Sequence, residues 1–246
     1  MKLEYPMRLQ AYLAKSGCGS RRSCETLITS GRVKVNTRVV TELGTKVDKD
    51  DAVMLDDQPV EPSEQSYYFA LNKPKGYVCA NYDPFNKLYA RDLIDIPDRS
   101  LLFHVGRLDK DSIGLILFTN DGQLANAVMH PSHEIEKEYI VQTDRPVDKR
   151  DLAEMHRGIY LEDSRSPYKI KSYSQVFNRV IRVVLTEGKN REIRKLFDYF
   201  GYEVKQLQRI RIGQIELGEL KLGQYRRLEQ WEVQSLYKEV SGESRD

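Results

Sequence analysis

A short apolar run, IGLILF at residues 113–118, constrains the fold of this chain more than any other stretch. It is preceded by GRLDKDS and followed by TNDG, which is a typical turn sequence. The pattern predicts a buried strand that contributes to the core, with turns at both ends. Asp109 lies just before this strand, so the sequence places a carboxylate at the entrance to a buried element.

The size and composition of the chain are those of a soluble globular protein. Its 246 residues suffice for one large domain, or for a large domain with a small appendage. No apolar stretch approaches the length needed to span a bilayer, and the N-terminal MKLEYPMRLQ lacks the apolar core of a signal peptide. We therefore expect a cytoplasmic protein. The three cysteines form no C-x-x-C pair, which favours reduced structural thiols.

The distribution of charge is informative although the net charge is only +2. Residues 1–46 carry nine Lys and Arg against three acids, whereas residues 47–64 carry seven acids against one lysine. This asymmetry predicts a basic module that binds a polyanion. EPSEQS at residues 61–66 is polar and contains proline, and it is typical of a linker.

The basic module is predicted to consist of two helices followed by short strands. The first helix lies in RLQAYLAKSG, and the second follows Ser20 as its N-cap and ends at Gly31. GRVKVN alternates inward valines with outward cations, as a strand does. The candidate polyanion-binding cations of this module are Arg8, Arg21, Arg22, Arg32 and Lys34.

The rest of the chain mixes helices and strands. Strands are predicted at residues 67–72, 101–105, 113–119, 137–143, 180–186 and 203–217. Helices are predicted at residues 121–130, 148–157 and 190–200. The order is no regular alternation of strand and helix, so it predicts an α+β fold rather than a doubly wound sheet.

Asp109 is the candidate for chemistry, since an ionised aspartate can act as a nucleophile. An opposing cation keeps such a group ionised. The sequence KNREIRKLF offers one: Asn190 is a candidate N-cap, and Arg191, Arg194 and Lys195 follow on neighbouring helical positions. Solvated arginines on a surface helix are the plainer interpretation. A two-carboxylate glycosidase is weakly supported, because spacing identifies no partner carboxylate.

Three further features of the sequence indicate functional residues less strongly than Asp109 does. Tyr139 in EKEYIVQTD could stack on a nucleobase or simply belong to the core. LNKPKGYV places Lys73 and Lys75 in a tight basic turn next to a strand. HPSH at residues 130–133 suggests metal ligands, but no third ligand lies nearby, so we expect no metal.

Two parts of the chain resemble known families. MRLQAYLAKSGCGSRRSCETLITSGRVKVN resembles the S4 domain, a small RNA-binding module. LNKPKGYV, GRLDKDSIGLILFTNDG, HPSHEIEKEYIV and LTEGKNREIRKLFDYFGYEVKQLQRIRIG, in this order, resemble the pseudouridine synthases that modify ribosomal RNA and carry an N-terminal S4 domain. The second resemblance extends from about residue 7 to residue 230.

The resemblance implies a fold and a set of roles. It implies an S4-like domain at residues 1–62 and a synthase domain at residues 63–246, built on a mixed, largely antiparallel sheet with flanking helices. Asp109 would be the essential catalytic residue, Tyr139 would pack on the target uracil, and Arg194 would pair with Asp109. Arg107 would fill the gap left by a flipped base. The other implied RNA contacts are Lys73, Lys75, Arg191 and Lys195.

The same resemblance bears on cofactors and partners. Isomerising uridine adds no electrons or groups from outside, so we expect no cofactor. We expect ribosomal RNA as the partner, no membrane, and a monomer. LNKPKGYVCA is similar to the small-subunit enzymes, whereas MHPSHEIEKEYIV and EGKNREIRKLF are more similar to the large-subunit enzymes, which favours large-subunit (23S) over small-subunit (16S) RNA.

Two other classes of function compete with this interpretation. The first is a non-catalytic RNA-binding or ribosome-assembly factor, which the presence of Asp109, Tyr139 and Arg194 together disfavours. The second is a carboxylate-dependent RNA glycosidase or hydrolase, which would need a second placed carboxylate.

Overall fold

The computed structural model of the protein describes residues 3–80, 83, 85–161 and 164–241. These residues form two compact units. The first contains the chain up to Tyr67 together with Ile96–Phe103 and Thr119–Asp121, and the second contains the remainder. Lys2, one of the cations counted in the basic module, lies outside the described residues. The domain boundary between residues 62 and 63 stays a prediction.

The first unit contains the two predicted helices and short strands. The helices are α1 (Leu9–Lys15) and α2 (Arg21–Thr29). The strands are β1 (Met7–Arg8), β2 (Val33–Val35), β3 (Arg38–Val39), β4 (Lys46–Val47), β5 (Val53–Leu55) and β6 (Gln58–Pro59). Strand β1 pairs with β4, and the other four form a sheet in the order β3-β2-β5-β6.

The apolar spacing of α1 and α2 produces the core of this unit. Leu9 and Leu13 of α1 are fully buried, and so are Cys24 and Ile28 of α2. The predicted cap of α2 is confirmed, since the Ser20 hydroxyl accepts a hydrogen bond from the Ser23 backbone N–H at 3.1 Å. This bond satisfies one of the donors left unpaired at a helix start.

The second unit contains nine strands and four helices among its described residues. The strands are β7 (Tyr68–Lys73), β8 (Phe103–Val105), β9 (Ile113–Thr119), β10 (Lys137–Thr143), β11 (Ser172–Phe177), β12 (Val180–Leu185), β13 (Val204–Ile212), β14 (Ile215–Glu216) and β15 (Tyr225–Arg227). The helices are α3 (Gly122–Met129), α4 (Lys149–Arg157), α5 (Glu192–Tyr199) and α6 (Gln230–Ser241).

These strands form one mixed sheet in the order β11-β12-β10-β13-β9-β7-β15, with β14 beside β13 and β8 beside β9. Strand β10 is antiparallel to both of its neighbours, and β15 is antiparallel to β7. Strand β9 runs parallel to β13 over a two-residue register, in which Gly114 lies opposite Arg209. The predicted α+β fold with a mixed, largely antiparallel sheet is confirmed.

Strand β9 is the buried strand that the apolar run predicted. Leu115 and Ile116 are fully buried, and Leu117 and Phe118 are each 2% exposed. Because β9 lies inside the sheet, the neighbouring strands on both sides set its position. The position of β9 in turn fixes the direction in which the chain leaves the turn at Asp109.

Several elements differ from the prediction. The single strand expected at residues 203–217 is interrupted by Gly213, which has a φ of +53° and separates β13 from β14. Strand β11 was missed because its side chains are almost all exposed and give no alternating pattern. Helix α6 was missed as well, and Trp231 on it is 59% exposed rather than part of the core. Within the described residues, no helix is both long and apolar enough to cross a membrane.

Candidate active site

Asp109 lies in the turn between β8 and β9, and a buried lysine holds that turn. The backbone N–H of Ser112 donates to the Asp109 carbonyl at 3.1 Å. The Lys73 ammonium at the end of β7 donates to the carbonyls of Ser112 at 2.8 Å, Pro74 at 3.0 Å and Lys110 at 3.4 Å. By binding the carbonyls of Lys110 and Ser112 as well as that of Pro74, this one cation fixes the backbone that follows Asp109 and ties it to the turn after β7.

This arrangement corrects the prediction that Lys73 contacts RNA. Its side chain is fully buried, and burial lowers the pKa of its ammonium group. All three of its named contacts are backbone carbonyls of the turns around Asp109. An ammonium enclosed in this way cannot reach a phosphate, so Lys73 supports the turn. Lys75, two residues later, is exposed, and its RNA contact stays a prediction.

Helix α5 begins later than expected, and this changes which residue stands at its start. Arg191 rather than Asn190 occupies the N-cap position, with a φ of +51°. A left-handed backbone is uncommon for a residue with a side chain and costs energy, so it must be held by its surroundings. The expectation that Asn190 caps this helix is therefore wrong. The left-handed backbone of Arg191 changes the direction of the chain at the start of α5, and the side chain of the same residue reaches Asp109.

The structure brings Asp109 together with both arginines singled out from the sequence. Arg191 Nη1 lies 3.3 Å from Asp109 Oδ2, within hydrogen-bonding distance. Arg194 Nε lies 3.8 Å from the same oxygen, which is an ion pair but too long for a hydrogen bond. The Asp109 side chain is 33% exposed, so the carboxylate is open to a ligand while facing two guanidinium groups.

Arg194 is much the more enclosed of the two arginines. Its side chain is 15% exposed, against 49% for Arg191. Arg194 Nη1 donates to the Val204 carbonyl at the start of β13, at 2.9 Å. Burial, followed by the nearby charge of Arg191, lowers the pKa of Arg194, while Asp109 opposes the shift. A guanidinium remains charged after such a shift, because its ordinary pKa is far above neutral pH.

A half-buried lysine and a buried glutamate shape the loop that leads into α5. The Lys137 ammonium donates to the carbonyls of Ile135 at 3.0 Å and Thr186 at 3.2 Å. The Glu192 carboxylate accepts a hydrogen bond from the Lys189 backbone N–H at 3.0 Å. Burial lowers the pKa of Lys137 to about 8 and raises the pKa of Glu192. Together these contacts tie the loop before Arg191 to the start of β10.

Tyr139 lies on β10 and is 8% exposed, so the protein packs most of the ring. Its neighbour across the register to β13 is Arg209. The Arg209 guanidinium carbon lies 6.0 Å from the centre of the tyrosine ring, and Arg209 Nη1 lies 3.5 Å from the hydroxyl oxygen. Arg209 was not singled out from the sequence. The sequence feature that could have identified Arg209 is a charged residue at an inward-facing strand position, two residues after the buried Leu207.

The other predicted RNA-binding residues lie in different environments. Arg32 and Lys34 form ion pairs with Asp56 and Asp57. Lys195 Nζ donates to the Tyr168 hydroxyl at 3.2 Å. Four of the remaining candidates are exposed: Arg8, Arg21, Arg22 and Arg107. The protein partners of Arg32, Lys34 and Lys195 compete with an RNA phosphate for binding to these cations. The four exposed arginines are accessible to an RNA phosphate.

The histidines of HPSH do not form part of a metal site in the described residues. His130 Nδ1 lies 2.7 Å from the Ser132 hydroxyl, and the rings of His130 and His133 pack edge to face with centres 5.9 Å apart. Throughout the described part of the chain, no group of three or more His, Cys, Asp or Glu side chains is placed to hold a metal ion.

The arrangement around Asp109 suits a carboxylate that reacts with a bound substrate. Two guanidinium groups lie beside its Oδ2 atom and attract its negative charge. The turn is held by Lys73, so the carboxylate is presented in a fixed direction. These are the requirements for a nucleophile or for a group that stabilises a developing positive charge.

Comparison with known proteins identifies the family. A family model described as RNA pseudouridylate synthase matches residues 67–199, and an S4 domain model matches residues 7–53. The chain is 39% identical over 234 residues to the ribosomal large subunit pseudouridine synthase B of Bacillus subtilis (strain 168), covering 93% of this chain and 95% of that protein. It is also 39% identical over 239 residues to an uncharacterized RNA pseudouridine synthase of Aquifex aeolicus (strain VF5), covering 95% of each.

A solved structure agrees with the sequence relatives. A crystal structure of a pseudouridylate synthase matches with a TM-score of 0.70 and 31% identity, covering 94% of this chain and 99% of the other. The agreement therefore extends over nearly the whole of both chains. The chain belongs to the RNA pseudouridylate synthase family and is a pseudouridine synthase with an N-terminal S4 domain.

Proposed function

We propose that this protein isomerises a specific uridine of large-subunit (23S) ribosomal RNA to pseudouridine, with Asp109 as the catalytic carboxylate. The observation that carries the proposal is the pairing of Asp109 Oδ2 with Arg191 at 3.3 Å and Arg194 at 3.8 Å, at the entrance to the buried strand β9. The Asp109 carboxylate is partly exposed and held by two arginines, which fits a reaction that uses one carboxylate and no second one.

The reaction balances without any outside reactant. The bond between N1 of the uracil and C1′ of the ribose breaks, the base rotates, and a bond forms between C5 and C1′. The proton that C5 loses is matched by the proton that N1 gains. The role of Asp109 is to act on the ring or on the sugar carbon, and the paired arginines hold its carboxylate in place for that step.

The target base must leave its stack to reach Asp109, at a cost of a few kcal/mol. We assign Tyr139 to the uracil, because base–aromatic stacking returns about 1–3 kcal/mol. We assign Arg107 to the gap left in the RNA, because it is exposed and lies two residues before Asp109. Arg191 would add a phosphate contact at the mouth of the site, since half of its side chain is exposed.

The choice of large-subunit RNA is supported by the named function of the Bacillus subtilis relative, which covers nearly the whole chain. The exposed cations of the S4 domain, Arg21 and Arg22 among them, suit a structured and highly charged RNA. An enzyme of ribosomal RNA works where ribosomes are made, in the cytoplasm.

The experiment is carbodiimide mapping of both ribosomal RNAs from a strain that lacks the gene and from its parent. One missing pseudouridine in 23S RNA, restored by the wild-type gene and not by Asp109→Asn, is expected. A missing pseudouridine in 16S RNA would overturn the choice of subunit. Unchanged maps of both RNAs would overturn ribosomal RNA as the substrate.

A further inference from the structure

Arg209 is a charged side chain inside the sheet, only 2% exposed. Placing a charge there is costly unless its hydrogen bonds are satisfied. Among the described residues, its side-chain contacts are with backbone carbonyls and a hydroxyl rather than with a carboxylate. Arg209 Nη2 is buried and has no hydrogen-bond partner there. An unsatisfied donor lowers stability, so fold stability alone is a poor explanation for this arginine.

The contacts of Arg209 join the segments that carry the proposed chemistry. Its Nε donates to the Leu115 carbonyl of β9 at 2.7 Å. Its Nη1 donates to the carbonyl of Arg107 at 3.4 Å and lies 3.5 Å from the Tyr139 hydroxyl. One planar group therefore touches the strand that follows Asp109, the backbone that precedes Asp109, and the tyrosine assigned to the target base.

The backbone of Arg209 is fixed to the same strand. Gly114 lies opposite Arg209 in the parallel register of β9 and β13. A Cβ on Gly114 would lie only 2.2 Å from the Arg209 carbonyl oxygen, so the two backbones approach as closely as glycine permits. The backbone from which the Arg209 side chain extends is consequently anchored to β9.

We infer that Arg209 is a positioning residue that holds the Tyr139 ring and the backbone at Arg107 in one fixed relationship, so that base and carboxylate meet in reactive geometry. The inference rests on the proposed function of Asp109 and Tyr139. Arg209 acts through these residues, and its own contacts are with protein groups. Lysine would keep the charge but lacks the planar fork that reaches several acceptors at once.

The test compares Arg209→Lys with the matched control Arg211→Lys. Arg211 lies two residues further along β13, and it donates to Glu138 at 2.7 Å and Glu136 at 2.9 Å. In single-turnover and steady-state assays on a 23S RNA fragment, Arg209→Lys should lower kcat about 10- to 100-fold with KM within about twofold of wild type, as expected for misplaced reacting groups. Arg211→Lys should keep the wild-type kcat.

A second readout is independent of activity. In protein labelled with carbon-13 at tyrosine Cζ, the Tyr139 resonance is identified by its loss in Tyr139→Phe. Arg209→Lys should shift that resonance, and Arg211→Lys should leave it in place. If Arg209→Lys does not fold, Arg209→Gln, which keeps a neutral donor, takes its place, and urea unfolding confirms that each variant is native under assay conditions.

The outcomes separate the inference from the proposed function. A wild-type kcat or an unshifted Tyr139 resonance in the native Arg209 variant overturns the positioning role. A loss of kcat that is equal in Arg209→Lys and Arg211→Lys overturns it as well, because it indicates a general effect of β13. Wild-type protein that forms no pseudouridine in the fragment overturns the proposed function, while the resonance still reports whether Arg209 holds Tyr139.

Discussion

Arg191 and Arg194 approach the same carboxylate oxygen of Asp109 but are anchored very differently. Arg191 reaches it at 3.3 Å from a left-handed backbone position, with half of its side chain exposed. Arg194 stands at 3.8 Å, enclosed by the protein and bound to the Val204 carbonyl. The exposed arginine is accessible to an RNA phosphate, whereas the enclosed one is fixed beside the carboxylate.

The different exposure and anchoring of Arg191 and Arg194 predict different kinetic effects when each side chain is removed. Arg194→Ala should lower kcat by about two orders of magnitude, because the carboxylate proposed to react no longer has its enclosed partner. Arg191→Ala should mainly raise KM, because its proposed contribution is to bind the RNA backbone. Tritium release from RNA containing 5-tritiated uridine measures both quantities.

Arg194→Lys provides the control for charge in this experiment. It should recover only part of the kcat that Arg194→Ala removes, since the ammonium cannot approach Asp109 and the Val204 carbonyl together. If Arg191→Ala lowered kcat and Arg194→Ala raised only KM, the two assignments would have to be exchanged.

Asp109→Asn is expected to abolish turnover and to leave RNA affinity nearly unchanged. Asparagine has the same size as aspartate but is not a nucleophile. Binding to a 23S RNA fragment by filter retention and tritium release with the same RNA provide the two measurements. Asp111→Asn, two residues further along the same turn, is the matched control and should remain active. Appreciable turnover by Asp109→Asn would refute the catalytic assignment.

Gly114→Ala is expected to destabilise the protein more than Gly76→Ala. Both glycines have positive φ, +103° and +92°, so each substitution strains the backbone by roughly 1–2 kcal/mol. Only at Gly114 would the new Cβ also lie 2.2 Å from a backbone oxygen, whereas Gly76 has no atom within 4 Å of that position among the described residues. Urea unfolding compares the two variants. Equal losses of stability would mean that β9 moves away from β13 at little cost.

The sequence predicted the elements that have strong periodicity and missed those that depend on partners. The spacing of apolar residues was sufficient for α1, α2 and β9, because burial of one face produces a regular pattern. It was not sufficient for β11, whose side chains are mostly exposed and whose existence depends on pairing with β12.

The same distinction holds for the site. The motifs identified Asp109 and the arginines of α5, but they could not give the distances, because the two segments are brought together only by the sheet. A lysine between an asparagine and a proline reads as part of an exposed basic turn, and burial of Lys73 depends on carbonyls nearly 40 residues away in the chain. Likewise, Arg209 looks like one of many cations until β13 is paired with β9 and β10.

Lys137 predicts a specific dependence of stability on pH. Burial, assisted by the charge of Arg209, lowers its pKa from 10.5 to about 8. Between these values the unfolded chain binds more protons than the folded chain, so this group makes the free energy of unfolding rise with pH from about 8 to 10.5. Lys137→Met lacks this contribution. The stability of wild type relative to the variant should therefore increase across that range.

Urea unfolding of both proteins at pH 7, 8, 9 and 10 measures this difference. Removing the ammonium also removes its hydrogen bonds, which adds an offset, and the expected signal is the change of the difference with pH. A difference that is constant from pH 7 to 10 would contradict the lowered pKa of Lys137.

The S4 domain should supply electrostatic affinity through its exposed cations. Arg21 and Arg22 are exposed at the start of α2, whereas Arg32 and Lys34 are held by Asp56 and Asp57. The double variant Arg21→Ala/Arg22→Ala should bind a 23S RNA fragment more weakly. It should also flatten the plot of log affinity against log salt concentration by about 0.7–0.9 for each RNA phosphate that the variant no longer binds.

The matched control is Arg32→Ala/Lys34→Ala, which removes the same number of cations from the same domain. Because these two side chains are already paired with carboxylates, their removal should change the slope less than the removal of Arg21 and Arg22. The turnover of bound RNA should be unchanged in both double variants, since the groups proposed to react lie in the synthase domain. Equal slopes for wild type and Arg21→Ala/Arg22→Ala would mean that the start of α2 does not touch the RNA and that its cations are only solvated.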